Sequence, residues 1–241
     1  MSPPARGSQG GRRRGRVRVR TARGRRLSST RWLERQLNDP YVREAKRLGY
    51  RSRAAFKLIE LDEKYGLLKG VHRAVDLGAA PGGWTQVLVQ RLGPGARIVA
   101  VDIAEFEPVA GADCLRLDFL MPHASARIAE ALGGAADLVL SDMAAPTTGH
   151  RQTDHLRTMA LCEAAFAFAR DVLAPGGAFV AKVLEGGTSG ELLVEMKRHF
   201  RKVRHAKPPA SRPESVEWYV VAQGFFGNRD EAGDAAGKPG R

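Results

Sequence analysis

The chain has 241 residues, 43% of them hydrophobic, which is enough for one ordinary domain with a buried core. Its net charge is +13, and its two cysteines, Cys114 and Cys162, exclude a disulfide framework; both sit in apolar surroundings that suit core residues. No apolar run approaches the ~20 residues of a membrane helix, and the charged N-terminus lacks the apolar segment of a signal peptide.

Ten arginines fall within residues 1–30 with no acidic residue among them, so the other 211 residues carry only +3. Residues 1–28 are expected to form a disordered Arg-rich arm that grips a polyanion, most simply RNA. A solvated tail that only aids solubility is the bland alternative. Such a start is also the composition of a mitochondrial presequence; the default address is the cytoplasm. Ser28-Ser29-Thr30 reads as an N-cap cluster before Arg31-Trp32-Leu33 and opens a folded domain over residues 29–226. Arg31, Trp32, Arg43, Lys46, Arg47, Tyr50, Arg51 and Arg53 then mix basic and aromatic residues, as phosphate contact and base stacking require. A helical surface with one buried tryptophan would look the same.

Residues 53–64 read as a helix, with Ala54, Ala55, Leu58, Ile59 and Leu61 at apolar positions. His72–Leu77 reads as a strand running into glycines, and Gly83–Leu92 as the helix that follows. Arg97–Asp102 is a second strand, Asp113–Leu117 a short third, and Asp137–Ser141 a buried fourth. Residues 153–173 make a long helix stopped by Pro175-Gly176-Gly177, and Gly177–Leu184 is a fifth strand. Gly190–Phe200 is a helix and Glu217–Phe225 a last apolar strand. Residues 227–241, rich in Gly, Ala and charge, form a flexible tail. Alternation of strands and helices predicts an α/β sheet covered on both faces. Such sheets bind ligands at the carboxyl ends of their strands, where strand order reverses.

The unusual residues fall at those ends. After the first strand comes Asp76-Leu77-Gly78-Ala79-Ala80-Pro81-Gly82-Gly83-Trp84-Thr85-Gln86. Its small residues allow close backbone approach to a ligand at a helix start, although any tight strand-to-helix turn uses glycine. Asp76, Asp102, Asp118 and Asp142 mark four successive strand ends, and Asp102 stands where a Rossmann-like site sets a carboxylate against ribose hydroxyls. The turn is not Gly-x-Gly-x-x-Gly, and its proline sits where a dinucleotide pyrophosphate needs free amides. A nicotinamide dehydrogenase is therefore the weakest reading, and a cationic sulfonium cofactor suits the acidic pocket better.

The chain is similar to the FtsJ-like ribosomal RNA large-subunit ribose 2′-O-methyltransferases. The likeness extends from the glycine-rich motif to Ser29-Ser-Thr-Arg-Trp-Leu, Tyr41-Val, Arg51-Ser-Arg-Ala-Ala-Phe-Lys-Leu58, Ser141-Asp-Met-Ala, Asp171-Val-Leu-Ala-Pro-Gly-Gly177, Val180-Ala-Lys-Val183 and Glu217-Trp-Tyr-Val-Val, in order across residues 29–224. It implies a Rossmann-like S-adenosylmethionine-dependent methyltransferase fold with a mostly parallel seven-stranded sheet. It implies S-adenosyl-L-methionine as cofactor, with contacts at Gly82, Trp84, Asp102, Asp118 and Asp142; Asp102 would take the ribose hydroxyls and Asp118 would lie near the adenine amino group. It further implies methylation of a uridine of 23S ribosomal RNA in the large subunit. The sequence departs from the family at Ala144-Ala145-Pro146-Thr147, where the proline is displaced by one, and in its long arginine arm.

By the same resemblance the catalytic set is Lys57, Asp142, Lys182 and Glu217. The residue pattern supports three of them independently. Lys182 interrupts the apolar run Ala178–Leu184, where a lysine is costly unless paired; a snorkelling edge lysine is the other reading. Glu217 opens the last strand and could be its partner or a solvated acid. Asp142 ends a buried strand. Lys57 reads on pattern alone as a surface lysine. Lys182 is expected to have a lowered pKa, through burial and through Lys57, and to take the hydroxyl proton. The chemistry needs no metal, and the six histidines form no convincing ligand set; His150 and His155 read as surface or RNA-facing. A monomer is expected. The alternatives are a transfer-RNA ribose methyltransferase and a non-catalytic ribosome assembly factor.

Overall fold

A computed structural model describes residues 27–186 and 188–227. The arginine arm up to residue 26 and the tail from residue 228 lie outside the described residues. The elements in chain order are α1 (Leu27–Asn38), α2 (Pro40–Leu48), α3 (Ala55–Tyr65), β1 (Arg73–Leu77), α4 (Gly83–Leu92), β2 (Arg97–Asp102), β3 (Asp113–Arg116), α5 (Ala124–Leu132), β4 (Ala136–Ser141), α6 (Arg151–Val172), β5 (Leu173–Leu184), α7 (Gly190–His199), β6 (Phe200–Ala206) and β7 (Glu217–Phe225).

The seven strands form one sheet in the order β3-β2-β1-β4-β5-β7-β6. β1 to β5 pair in parallel, and β7 runs antiparallel between β5 and β6. Strand order reverses between β1 and β4, so the crevice for a ligand opens at their carboxyl ends. The inner strands read as unbroken apolar runs because both faces are covered. On one face, Leu58 and Leu61 of α3 and Trp84, Val87 and Leu88 of α4 pack on Val180, Tyr219 and Val221. On the other, Ile128 of α5, Phe166 and Phe168 of α6 and Met196 of α7 pack on Phe179, Val183 and Val220.

Three elements were not expected. α2 is capped by Asp39, whose side chain accepts the Tyr41 amide, has Pro40 in its first turn and stops at Gly49 in the left-handed region. α5 buries Ala124, Ile128 and Leu132 at four-residue spacing. β6 is an edge strand. The serine–threonine cluster does not cap a helix, because α1 begins at Leu27 and runs through it. Pro175-Gly176-Gly177 does not precede the fifth strand; it is an irregularity inside β5, between the pairs Ala136–Leu173 and Leu138–Ala178.

Candidate functional site

Sheet register builds the centre of the site. In the antiparallel β5–β7 pair Lys182 lies opposite Tyr219, and Leu184 lies opposite Glu217. Side chains alternate along a strand, so Lys182, Glu217 and Tyr219 share the face covered by α3. Lys57 of α3 descends onto that face. Asp142 follows β4, the neighbour of β5 on its other side.

The result is a closed chain of contacts. Lys182 Nζ lies 3.0 Å from Asp142 Oδ1 and 3.6 Å from Glu217 Oε1, and it donates to the Asp142 carbonyl at 2.9 Å. Lys57 Nζ donates to Glu217 Oε2 at 2.9 Å and to the Tyr219 hydroxyl at 3.1 Å. The Tyr219 hydroxyl donates to Asp142 Oδ1 at 2.7 Å. Both lysines are 7% exposed. All four residues expected from the resemblance therefore meet, with Lys57 buried rather than at the surface. Tyr219, fully buried, is a fifth member that the sequence did not reveal: in an apolar strand a tyrosine looks like core, and only the sheet register exposes its role.

The charge on Lys182 differs from expectation. Burial alone would lower its pKa, but Asp142 and then Glu217 outweigh that penalty and hold it above the ordinary lysine value. The reciprocal effect of Lys182 and Lys57 overcomes desolvation at Glu217 and brings its pKa down to about 2. Tyr219 is pushed well above its usual value by burial, then by Asp142 and Glu217. At rest Lys182 is therefore held as an ammonium, Glu217 as a carboxylate and Tyr219 as a neutral phenol.

Lys182 and Glu217 form part of the wall of a cavity of about 840 Å³, with Arg53, Arg151 and Arg212 around it. Glu185, Gly186, Thr188 and Ser189 line one side, and the Thr188 amide donates to His205 Nε2 at 3.2 Å. His155 also lines this cavity, whereas His150 caps α6, accepting from the Thr153 amide.

A second region lies at the ends of β1, β2 and β3. Asp102 is half-buried; its oxygens accept the amides of Ala80 at 2.9 Å and Ala104 at 2.8 Å, tying the glycine-rich turn to β2. Asp118 is exposed, and its Oδ1 accepts the Leu120 amide at 3.0 Å. Beside these carboxylates Ile103, Leu120 and Met121 are exposed, an apolar surface at two adjacent strand ends. Asp76 lies within β1, not at the crevice mouth. It is fully buried, Thr85 donates to its Oδ2 at 2.7 Å, and its Oδ1 has no partner. Desolvation, with a smaller push from Asp142 and Asp102, raises its pKa to about 7.

Two motif residues serve the scaffold. Trp84 is buried, and its indole N–H donates to the Ala54 carbonyl at 2.8 Å, pinning α4 to α3. Gly82 has φ +107, and a Cβ there would meet Arg51 and Val109 at 3.0 Å. Arg51 is consumed internally, donating to the carbonyls of Pro81, Glu107 and Pro108. Arg53 pairs with Asp39 at 3.1 Å and Arg47 with Glu44, while Tyr50 donates to Gln90. Of the basic–aromatic stretch, Arg53 reaches the cavity; the side chains of Arg31 and Trp32 lie outside the described residues.

This doubly wound sheet, with one reversed strand and acids at its carboxyl edge, is the Rossmann-like fold of methyltransferases. A crystal structure named as a ribosomal RNA methyltransferase from Plasmodium falciparum superposes with a TM-score of 0.67 at 30% identity, covering 74% of this chain and 100% of that one. The chain belongs to the FtsJ-like methyltransferase family, whose model matches residues 50–225. It is 66% identical over 215 residues to the ribosomal RNA large subunit methyltransferase E of Rhodospirillum rubrum, covering 88% of this chain and 82% of that one. The protein of the same name from Parvibaculum lavamentivorans is 59% identical over 240 residues, covering 95% of this chain and 94% of that one.

Proposed function

We propose that this protein transfers a methyl group from S-adenosyl-L-methionine to the ribose 2′-hydroxyl of a uridine in 23S ribosomal RNA of the large subunit. The observation that carries the reading is the Lys57–Tyr219–Asp142–Lys182–Glu217 cluster, of which Lys182 and Glu217 reach the wall of an arginine-bordered cavity. The names of the relatives support ribosomal RNA as the substrate. The carboxylates of Asp102 and Asp118 beside the apolar surface of Ile103, Leu120 and Met121 fit a nucleoside cofactor that carries positive charge. The backbone at Gly82 and Trp84 would border it, since the Trp84 side chain is spent on α3.

The cofactor supplies the methyl group on a sulfonium. The ribose hydroxyl that would receive this methyl group must give up its proton. Lys182 takes that proton in its neutral form. Asp142 and Glu217 aim its amine into the cavity, and Lys57 holds Glu217. Because the carboxylates keep Lys182 charged at rest, the neutral form is scarce near pH 7, and the rate should climb as pH rises.

The test is methyl transfer from labelled S-adenosyl-L-methionine to large subunits from cells that lack this protein, beside transfer RNA and a Lys182→Ala control. Label in 23S RNA that survives alkaline cleavage and disappears in the control is expected. Label on transfer RNA alone would overturn the substrate, and no label on any RNA would overturn the activity.

A further inference from the structure

Between Glu195 and Glu214 the chain carries Lys197, Arg198, Arg201, Lys202, Arg204, Lys207 and Arg212 and no acidic residue. Most of this run forms the last turn of α7 and strand β6. β6 is the outer strand of the sheet, and Arg201, Lys202 and Arg204 are all exposed. The opposite edge is different. There Arg97 pairs with Asp113 and Arg116 with Glu105, so its cations are neutralised. Among the described residues no carboxylate lies within ion-pair distance of Arg201, Lys202 or Arg204.

Direction matters as well. β6 is antiparallel to β7 and ends with Ala206 opposite Tyr219. The cationic edge therefore begins beside the candidate catalytic cluster and leads away from it, Lys202 lying opposite Gln223. At ~3.3 Å per residue the stretch from Lys202 to Lys207 spans roughly 16 Å. Long stems on both faces of an edge strand can reach past the edge to a polyanion running along it. An uncompensated row of cations this close to a sheet edge also discourages pairing with another strand.

We propose that the β6 edge is a second RNA-contact surface, which binds the phosphate backbone of the substrate as it leaves the catalytic cavity. This rests on the reading of the protein as an RNA methyltransferase. The contact would add affinity and register without reading bases.

The triple variant R201Q/K202Q/R204Q keeps the side-chain stems and should fold, as circular dichroism and melting temperature would verify. Binding of wild-type and variant protein to protein-free 23S RNA and to intact large subunits would be followed between 50 and 200 mM salt. Three lost phosphate contacts should lower the salt slope by about two to three, so that the wild type loses roughly 20- to 40-fold more affinity than the variant over this range. Methyl transfer at saturating RNA should be unchanged, because none of the three lines the cavity. An unaltered slope on 23S RNA would overturn the proposal. A defect seen on intact subunits but not on protein-free RNA would overturn it too, assigning the edge to a ribosomal protein. A reduced slope in the variant, beside a wild type that methylates no RNA, would keep the contact and defeat the proposed activity instead.

Discussion

Glu217→Gln separates the electrostatics of Lys182 from its packing. The substitution keeps the shape of the side chain and removes one of the two carboxylates that hold Lys182 charged. The pair is 3.6 Å apart. Coulomb's law gives about 1.2 kcal/mol at the dielectric of water and about 2.3 kcal/mol at half that value. The Glu217 side chain is 33% exposed, so screening favours the lower figure, and the Lys182 pKa should fall. Removing the Glu217 charge also leaves Lys57 less compensated, which acts in the same direction. The assay is a pH titration of ¹³Cε-labelled lysine by NMR, with the Lys182 resonance assigned from Lys182→Arg. In the wild type the midpoint should lie above the ordinary lysine value of about 10.4. Single-turnover methylation at saturating RNA should rise about tenfold per pH unit between pH 6 and 9, tracking the neutral amine. A wild-type midpoint below the ordinary value, or a midpoint that Glu217→Gln leaves in place, would refute the assignment of charges in the cluster.

Three further outcomes follow from the same contacts. Glu217 has a folded pKa of about 2 against 4.5 in the free residue, so the stability it contributes is present above pH 4.5 and lost as pH falls toward 2; the melting temperature of the wild type should drop over that window more steeply than that of Glu217→Gln. Asp76 has the opposite sign, because its pKa is raised from 3.8 to about 7. Its folded form prefers the proton, so the wild type should lose stability relative to Asp76→Asn as pH rises from about 4 to 7, and parallel melting curves for the two would show that the carboxyl is not desolvated. At Gly78, φ is +79 and a Cβ would lie 2.7 Å from the Met143 amide nitrogen; Gly78→Ala forces a left-handed alanine costing about 1–2 kcal/mol and displaces the segment that carries Asp142. It should lower the melting temperature by at least about 2 °C and reduce methylation, and a stable, fully active Gly78→Ala would contradict the observed close approach.

The parts of the fold that could be read from the sequence are those where one signal dominates. α4, β2 and β7 fall on their expected residues because apolar runs end in glycine or acid at the element boundary. β6 escaped because an outer strand has no need of an apolar pattern: among Arg201–His205 only Val203 packs on the core. α2 and α5 escaped although their punctuation was present, Asp39-Pro40 before one and Gly133 after the other. Their helical faces are narrow, and the charged or small residues between apolar positions hid the period.

The site shows the same division between local and long-range information. That Lys182 needs a partner could be deduced from its neighbours, since an ammonium inside an apolar strand demands one. Which partner, and with what consequence for its charge, could not. A lysine buried beside another lysine would lose its proton, whereas the same lysine gripped by two carboxylates keeps it. The β5–β7 register decides between these outcomes by setting Glu217 and Tyr219 on the Lys182 face, so that Glu217 stands between the two lysines and the Tyr219 hydroxyl joins Lys57 to Asp142. Strand pairing thus tunes the charge of the candidate base, and any change that slipped β7 by one residue would turn Glu217 and Tyr219 to the opposite face, leaving Lys57 without its carboxylate and Lys182 with Asp142 alone.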